Sequence, residues 1–428
     1  MSFLLATTLL LSYLSHPTHA YTLHGYWGAN LAQNQYPSSP TSPSAYTEPS
    51  LATICTSTPY THIHLSYMKL HFDVLNNSAL DLDAHCRWPT NKWAGYPDPV
   101  KGFNVLDCGN VGLDVEVCHA AGKKVILSIS PMDYLLTATR AEASARNVWN
   151  LFLGGTSSYR PFGNVVLDGV EVRAWNNDPN PELYVVFLRT LRELMDGSGR
   201  SGWVISGAVS CIYPDYLLGP NTLNNTLLSL LPTAFTHLTI SMLSNPATCG
   251  YSSNTAGFYS HLTAWATFLT AASPNTSLVV TLPSWYTPEW VNGATGDYVR
   301  LQSVYEAGFW ERVKAVGGFG GLAMQDVSFD VLNRPCSGND SITYSGVLWG
   351  LLNGVGGNGT RCAETTNVSP FGGGVSGASS TAATRKAAAT STLKVEPITS
   401  DGGEALGQMW QVVLPILVVP IVGLLLRG

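Results

Sequence analysis

Val166-Leu167-Asp168-Gly169-Val170-Glu171-Val172-Arg173-Ala174-Trp175 is the stretch on which the reading of this chain turns. An apolar run at residues 165–167 leads into Asp168 and Glu171, and the pattern reads as a short strand ending in acids. Converging carboxylates at a strand end suit proton transfer. Two and four residues after Glu171, where further acids would complete such an array, stand Arg173 and Trp175. Neither donates a proton at neutral pH as a carboxylic acid does. The row argues against acid catalysis on a scaffold otherwise laid out for it.

Outward from this stretch the chain repeats strand, loop and helix. Apolar runs predict strands at residues 23–26, 62–68, 124–129, 165–167, 203–210, 237–243, 277–282 and 321–325. Helices are expected at 111–120 and 181–195, the latter with Tyr184, Phe187, Leu188 and Leu191 at helical spacing. Strands alternating with helices predict an α/β fold, a single (β/α)8 TIM barrel over residues 21–365. On that fold the chemistry sits at the C-terminal ends of the strands, where Asp168 to Trp175 is expected to fall.

The two ends read as processing signals. Residues 1–20 hold an apolar run at 3–14 and close on Thr18-His19-Ala20, a signal peptide by length and cleavage pattern. The apolar run at 412–426 contains Pro415 and Pro420 and is shorter than the roughly 20 residues a spanning helix needs. With Ser400-Asp401-Gly402-Gly403 before it, residues 401–428 resemble a glycosylphosphatidylinositol-anchor propeptide, the lipid being added at Ser400 or Asp401. A stop-transfer or buried helix is the alternative. Residues 366–400, rich in Gly, Ser, Ala and Thr, read as a stalk. The expected location is the outside of the plasma membrane, at the cell surface or wall, with the lipid anchor as the membrane contact.

Composition narrows the function classes. Only 12% of residues are charged, 28 acidic against 22 basic, which argues against nucleic acid as a partner. Eight cysteines in an exported chain predict disulfides. With no C-x-x-C or H-x-x-H spacing, neither a metal nor a cofactor is expected. Glycosylation sequons stand at Asn76, Asn224, Asn275, Asn339 and Asn358.

Several longer pieces carry a resemblance. They are Tyr26-Trp27-Gly28, Asp81-Leu82-Asp83-Ala84-His85-Cys86, Lys123-Lys124-Val125-Ile126-Leu127-Ser128 and Trp149-Asn150-Leu151-Phe152-Leu153-Gly154-Gly155. Arg160-Pro161, Leu167-Asp168-Gly169, Cys211, Tyr213-Pro214-Asp215, Asn245-Pro246 and Gly320-Gly321 follow. In order and spacing, over about residues 21–330, the chain resembles the class III (plant and fungal type) chitinases of glycoside hydrolase family 18. The resemblance implies disulfides Cys55–Cys118, Cys86–Cys108 and Cys211–Cys249. Cys336 and Cys362 have no counterpart, and an even remainder suggests a fourth bond.

The resemblance also says what has been lost. The family motif D-G-x-D-x-D-x-E ends in the acid that protonates the glycosidic oxygen, and the Asp before it holds the acetamido group that attacks the anomeric carbon. Here Asp168 keeps the first place, Glu171 takes the second, Arg173 the assisting place and Trp175 that of the acid. Ser241 and Leu243 stand where the family has a Gln and a Tyr that touch the acetamido group, and Gln325 replaces the Trp that floors the sugar. Ser128-Ile129-Ser130-Pro131 replaces Ser-x-Gly-Gly, and Ala29 replaces a Gln. Losing general-acid catalysis alone costs about 10²- to 10⁴-fold in rate.

These substitutions predict a catalytically impaired chitinase-like protein that binds chitin or chitooligosaccharides at a fungal surface and sequesters fragments from host recognition. Glycan-stacking candidates are Trp27 and Tyr67, near the cleft floor in the resemblance, Trp175, and Trp285, Tyr286 and Trp290 in the 284–290 loop. Packing is the competing reading for these rings. Asp168 and Glu171 are expected to be buried acids bonded into the barrel interior, with Arg173 pairing Glu171. Two alternatives stay open: an interaction protein on the same scaffold, and an active enzyme whose acid has moved to Asp178, Glu182, Glu289 or Asp326.

Overall fold

The structure, a computed structural model, describes residues 21–29, 31–32, 47–71, 77–80, 82, 85–86, 108–131, 137–157, 160–173, 181–215, 218–219, 226–243, 245–285, 297–306, 308–336, 339, 341–354 and 362–363. The expected signal peptide, stalk and anchor segments, with Ser400 and Asp401, lie outside the described residues.

Its strands are β1 (Thr22–Trp27), β2 (His62–His71), β3 (Asn77–Leu80), β4 (Lys124–Pro131), β5 (Gly169–Arg173), β6 (Val204–Ser210), β7 (His237–Ser241), β8 (Ser277–Pro283) and β9 (Phe319–Gln325). They form one sheet in the order β1-β9-β8-β7-β6-β5-β4-β2-β3, and β1 also pairs with β2. That last pairing closes eight parallel strands into a (β/α)8 barrel; β3 is antiparallel to β2 and lies outside the closure. Helices connect the successive parallel strands, as parallel pairing requires.

Strand alternation sorts the side chains. Leu23, Ile63, Leu65, Val125, Leu127, Val170, Ile205 and Leu322 belong to the large apolar cluster between barrel and helices. The intervening residues turn inward, and that face is largely polar: His24, Tyr26, His64, Ser128, Glu171, Ser206, Thr239 and Thr281 are all buried. The helix Pro181–Gly197 shows the complementary pattern, with proline in its first position, Glu182 in its first turn and Tyr184, Phe187, Leu188, Leu191 and Met195 buried.

One expected strand is displaced. Residues 165–167 are a connection, and β5 begins only at Gly169. The Leu167 N–H donates to the Phe152 carbonyl and Arg160 donates to the Val165 carbonyl, so these backbone groups are satisfied away from the sheet. Sheet contact starts where Asp168 N–H meets the Val125 carbonyl. Gly169 is needed at that point, because a Cβ there would lie 1.9 Å from the Val204 carbonyl oxygen.

All four disulfides are present: Cys55–Cys118, Cys86–Cys108, Cys211–Cys249 and Cys336–Cys362. The first ties the helix Leu51–Ser57 to the helix Gly109–Ala120, and the last reaches the final described segment. Among the described residues no helix is long and apolar enough to cross a membrane.

Candidate functional site

The end of β5 sets Glu171 and Arg173 on the same inward face, two residues apart. Glu171 has no exposed surface. It accepts hydrogen bonds from the Tyr26 hydroxyl (2.8 Å), Ser128 Oγ (2.8 Å) and Thr239 Oγ1 (3.3 Å), and His64 Nδ1 lies 3.1 Å from its Oε2. Burial alone would raise this carboxyl. The His64 interaction outweighs it, with Arg173 and Ser128 helping, and brings the carboxyl down to about 2. Glu171 is therefore an ionised acceptor with no proton to give. Tyr26 answers from the other side: burial and the Glu171 charge hold its phenol well above the ordinary value, so it remains a donor.

Arg173 fills the mouth above this carboxylate. Its guanidinium carbon lies 5.1 Å from the Tyr26 ring centroid and 4.7 Å from that of Tyr67. Burial would lower its pKa, but Tyr67, Tyr26 and Glu171 outweigh burial and keep it charged. The expected pairing with Glu171 acts through the field: among the described residues no ion pair joins them, and Arg173 Nη1 is buried without a hydrogen-bond partner. Gln325 Oε1, at the end of β9, is likewise buried and unpartnered among the described residues. Ser241 is half-buried, and Leu243 is buried in the turn after β7.

Asp168 is placed differently from the expectation. It stands three residues before Glu171, so strand alternation turns it away from the barrel interior. Its carboxylate accepts from His119 Nε2 (2.9 Å), the Val125 N–H (2.8 Å) and Arg200 Nη2 (2.5 Å), binding the connection ahead of β5 to a helix end and a loop. Burial pushes its pKa up, yet His119 and the Val125 N–H, with Arg200, bring the balance below the ordinary value.

The aromatic candidates are also redistributed. Trp27 is one residue out of phase with Tyr26 and joins the apolar layer outside the barrel, 1% exposed, its indole N–H donating to the Pro49 carbonyl. It presents no ring face for a sugar, and neither does Tyr26, which is 2% exposed; Tyr67 is half-buried beside Arg173. Trp285 is buried against Ala32 and Phe329 in a separate small cluster. Trp175, Tyr286 and Trp290 lie outside the described residues, as do Asp178, Glu289, Asn76, Asn224 and Asn358. Asn275, Asn339 and Glu182 are exposed.

Below Glu171 lies a feature that local spacing does not reveal. His24, His64 and His237, from β1, β2 and β7, are all buried and converge, and His62 stacks on His24 at 4.3 Å. Burial, then repulsion from neighbouring imidazoles, holds His24 and His237 well below the ordinary imidazole value and His62 at about 3. The signal was present as His62 and His64 alternating on a predicted strand, but their partners come from strands far apart in sequence.

No protein-family model matches the chain. Its sequence homologues are proteins named as chitinases. It is 29% identical to Chitinase 2 of Rhizopus oligosporus over 61% of the chain and 42% of that protein. It is 27% identical to the Basic endochitinase of Nicotiana tabacum over 61% of the chain and 80% of that protein, and 27% identical to the Endochitinase of Saccharomyces cerevisiae over 77% and 51%. The chain thus spans only about half or less of the two fungal relatives. Among solved structures it shares the fold of the ICChI chitinase from Ipomoea carnea (TM-score 0.53, 22% identity, 72% of this chain and 96% of that one). It shares it equally with a tamarind chitinase-like lectin (TM-score 0.52, 19% identity, 72% and 96%).

Proposed function

Starting from a chain whose sequence homologues are named chitinases, we propose that it holds chitin or chitooligosaccharides without cleaving them. One observation carries the reading. Where the resemblance puts the assisting carboxylate, the structure has the Arg173 guanidinium against Tyr26 and Tyr67. A cation there cannot orient the acetamido oxygen for attack as a carboxylate does, and it opposes the positive charge that develops on the sugar ring. Glu171 gives no substitute acid, since its carboxyl is ionised and already takes hydrogen bonds from Tyr26, Ser128 and Thr239. What remains suits binding: a half-buried, charged arginine whose Nη1 has no hydrogen-bond partner among the described residues, with the half-buried Tyr67 ring beside it at the C-terminal end of the barrel strands. In this reading residues 1–20 direct export, and an anchor added at Ser400 or Asp401 holds the barrel at a fungal cell surface, where it captures wall fragments before a host receptor meets them.

Retention on chitin beads together with no release of fluorophore from a fluorogenic chitooligosaccharide is the expected result. Failure of retention favours the interaction-protein reading. Turnover points to a displaced acid, and one observation supports that second reading. Asp326, at the end of β9, is pushed up to about 7 by burial and by the Glu48 charge, a value suited to a general acid. Against it, Asp326 has no exposed surface, and its oxygens accept from the Leu31 N–H, the Ser328 hydroxyl and the Phe329 N–H. If turnover is seen, its loss in Asp326→Asn would assign the acid.

A further inference from the structure

The histidines beneath Glu171 have no part in glycan binding, and they are arranged as ligands are. One ring nitrogen from each of His24, His64 and His237 lies within 4.8 Å of the others, and all three residues are at most 4% exposed. His24 Nδ1 and His64 Nε2 are 2.9 Å apart. His237 supplies the independent sign: its Nε2 is buried and has no hydrogen-bond partner among the described residues. A buried ring nitrogen left without a partner inside a barrel suits a metal better than packing.

The outer contacts fit the same purpose. His64 Nδ1 faces the Glu171 carboxylate at 3.1 Å, which turns Nε2 inward onto His24 Nδ1, a hydrogen bond that the ion would replace. This is the carboxylate–histidine arrangement that orients metal-bound imidazoles and raises their basicity. His24 has its other nitrogen, Nε2, on Thr22 Oγ1 at 2.9 Å, fixing its ring from the opposite side. Glu171 also places a negative charge beside the cluster, while Lys124 at the foot of β4 adds an opposing positive one.

We propose that His24, His64 and His237 form a zinc site inside the barrel, with Glu171 orienting His64 and the ion cross-bracing β1, β2 and β7. Imidazole ligands of this number suit zinc, which takes its fourth ligand from water or another small donor. With Zn–N bonds of about 2.0–2.1 Å, two ligand nitrogens on a tetrahedral ion stand about 3.3 Å apart. The 2.9 Å pair would thus open by only about 0.4 Å. The site also gives a reason for Glu171 to persist where no proton is moved: it is a positioning residue for His64.

The test uses the exported chain, dialysed against a chelator and titrated separately with ZnCl2 and CoCl2. The expected result is one tightly held zinc per chain and, with cobalt, the intense visible absorption of a four-coordinate ion. His237→Gln should weaken zinc binding roughly a hundredfold or more, and Glu171→Gln about ten- to a hundredfold. His62→Gln removes the imidazole stacked on His24 without removing a ligand and should leave affinity within about twofold. Absence of zinc uptake, or uptake unchanged in a folded His237→Gln chain, would overturn the proposal and leave the imidazoles as packing. Should His237→Gln fail to fold, X-ray absorption at the zinc edge of the unmutated chain decides instead. A shell of three imidazoles supports the site, and an all-oxygen shell rejects it.

Discussion

Glu171 and Asp168 stand three residues apart and do unrelated work, which makes them good places to test the account at the scale of single residues. Glu171 lies unexposed among Tyr26, Ser128, Thr239 and His64, so removing its charge strands donors aimed at it. Glu171→Gln should cost about 3 kcal/mol or more of stability, read from the midpoint shift in urea unfolding. Asp168 tests pH. His119, the Val125 N–H and Arg200 hold its folded-state value below the ordinary 3.8. Its contribution is therefore complete above that value and is lost as pH falls through the lower folded one. Between pH 5 and pH 2 (about the range over which such a group is titrated) the unmutated chain should lose more stability than Asp168→Asn does. Parallel curves for the two chains would remove Asp168 from the account. The roles of these acids were only half legible in the sequence. Their burial was expected because, without the downstream acids, they have no proton to move. That Asp168 points outward follows from its odd spacing from Glu171, and the partners His64 and Tyr26 come from strands more than a hundred residues away in the chain.

Among elements, strand positions were the most legible part of the chain, because buried parallel strands are continuous apolar runs bounded by polar turns. Seven of the eight expected strands coincide with an observed one to within a few residues. The exception, 165–167, has the apolar composition of a strand but gives its backbone groups to Phe152 and Arg160. Trp27 failed for a related reason: its neighbour Tyr26 holds the inward phase, so the larger ring packs outward. Two measurements belong here. Gly169→Ala would drive a Cβ into the Val204 carbonyl where β5 meets β6, and it should cost about 2 kcal/mol or more, visible as a lowered thermal midpoint. Opening Cys55–Cys118, which spans 63 residues, by the paired change to alanine should cost about 4 kcal/mol by loop-closure entropy. A loss under about 1 kcal/mol would mean that packing between the two helices already fixes their ends.

Across the whole molecule, scaffold and chemistry part company. A closed barrel, four disulfides and a polar interior are retained, while the residues that the resemblance assigns to hydrolysis are replaced together: Arg173 and Trp175 for two acids, Leu243 and Gln325 for a tyrosine and a tryptophan. Correlated replacement predicts that no single reversion restores an enzyme. Arg173→Asp with Trp175→Glu should release no measurable fluorophore from a chitooligosaccharide substrate. The same pair with Leu243→Tyr added is the smallest set for which turnover is expected, because acid, assisting carboxylate and acetamido contact must act as a unit. Arg173→Ala alone should weaken glycan binding about tenfold, the worth of one charged hydrogen bond.

The most direct measurement is calorimetric titration of the purified protein with chitin hexamer, since one trace reports both binding and turnover. A saturable heat at one site, returning to baseline after each injection, is the predicted result. A heat flow that persists after injection would reveal hydrolysis, and the absence of any saturable heat would remove the glycan; either would contradict a barrel that holds its sugar without cutting it.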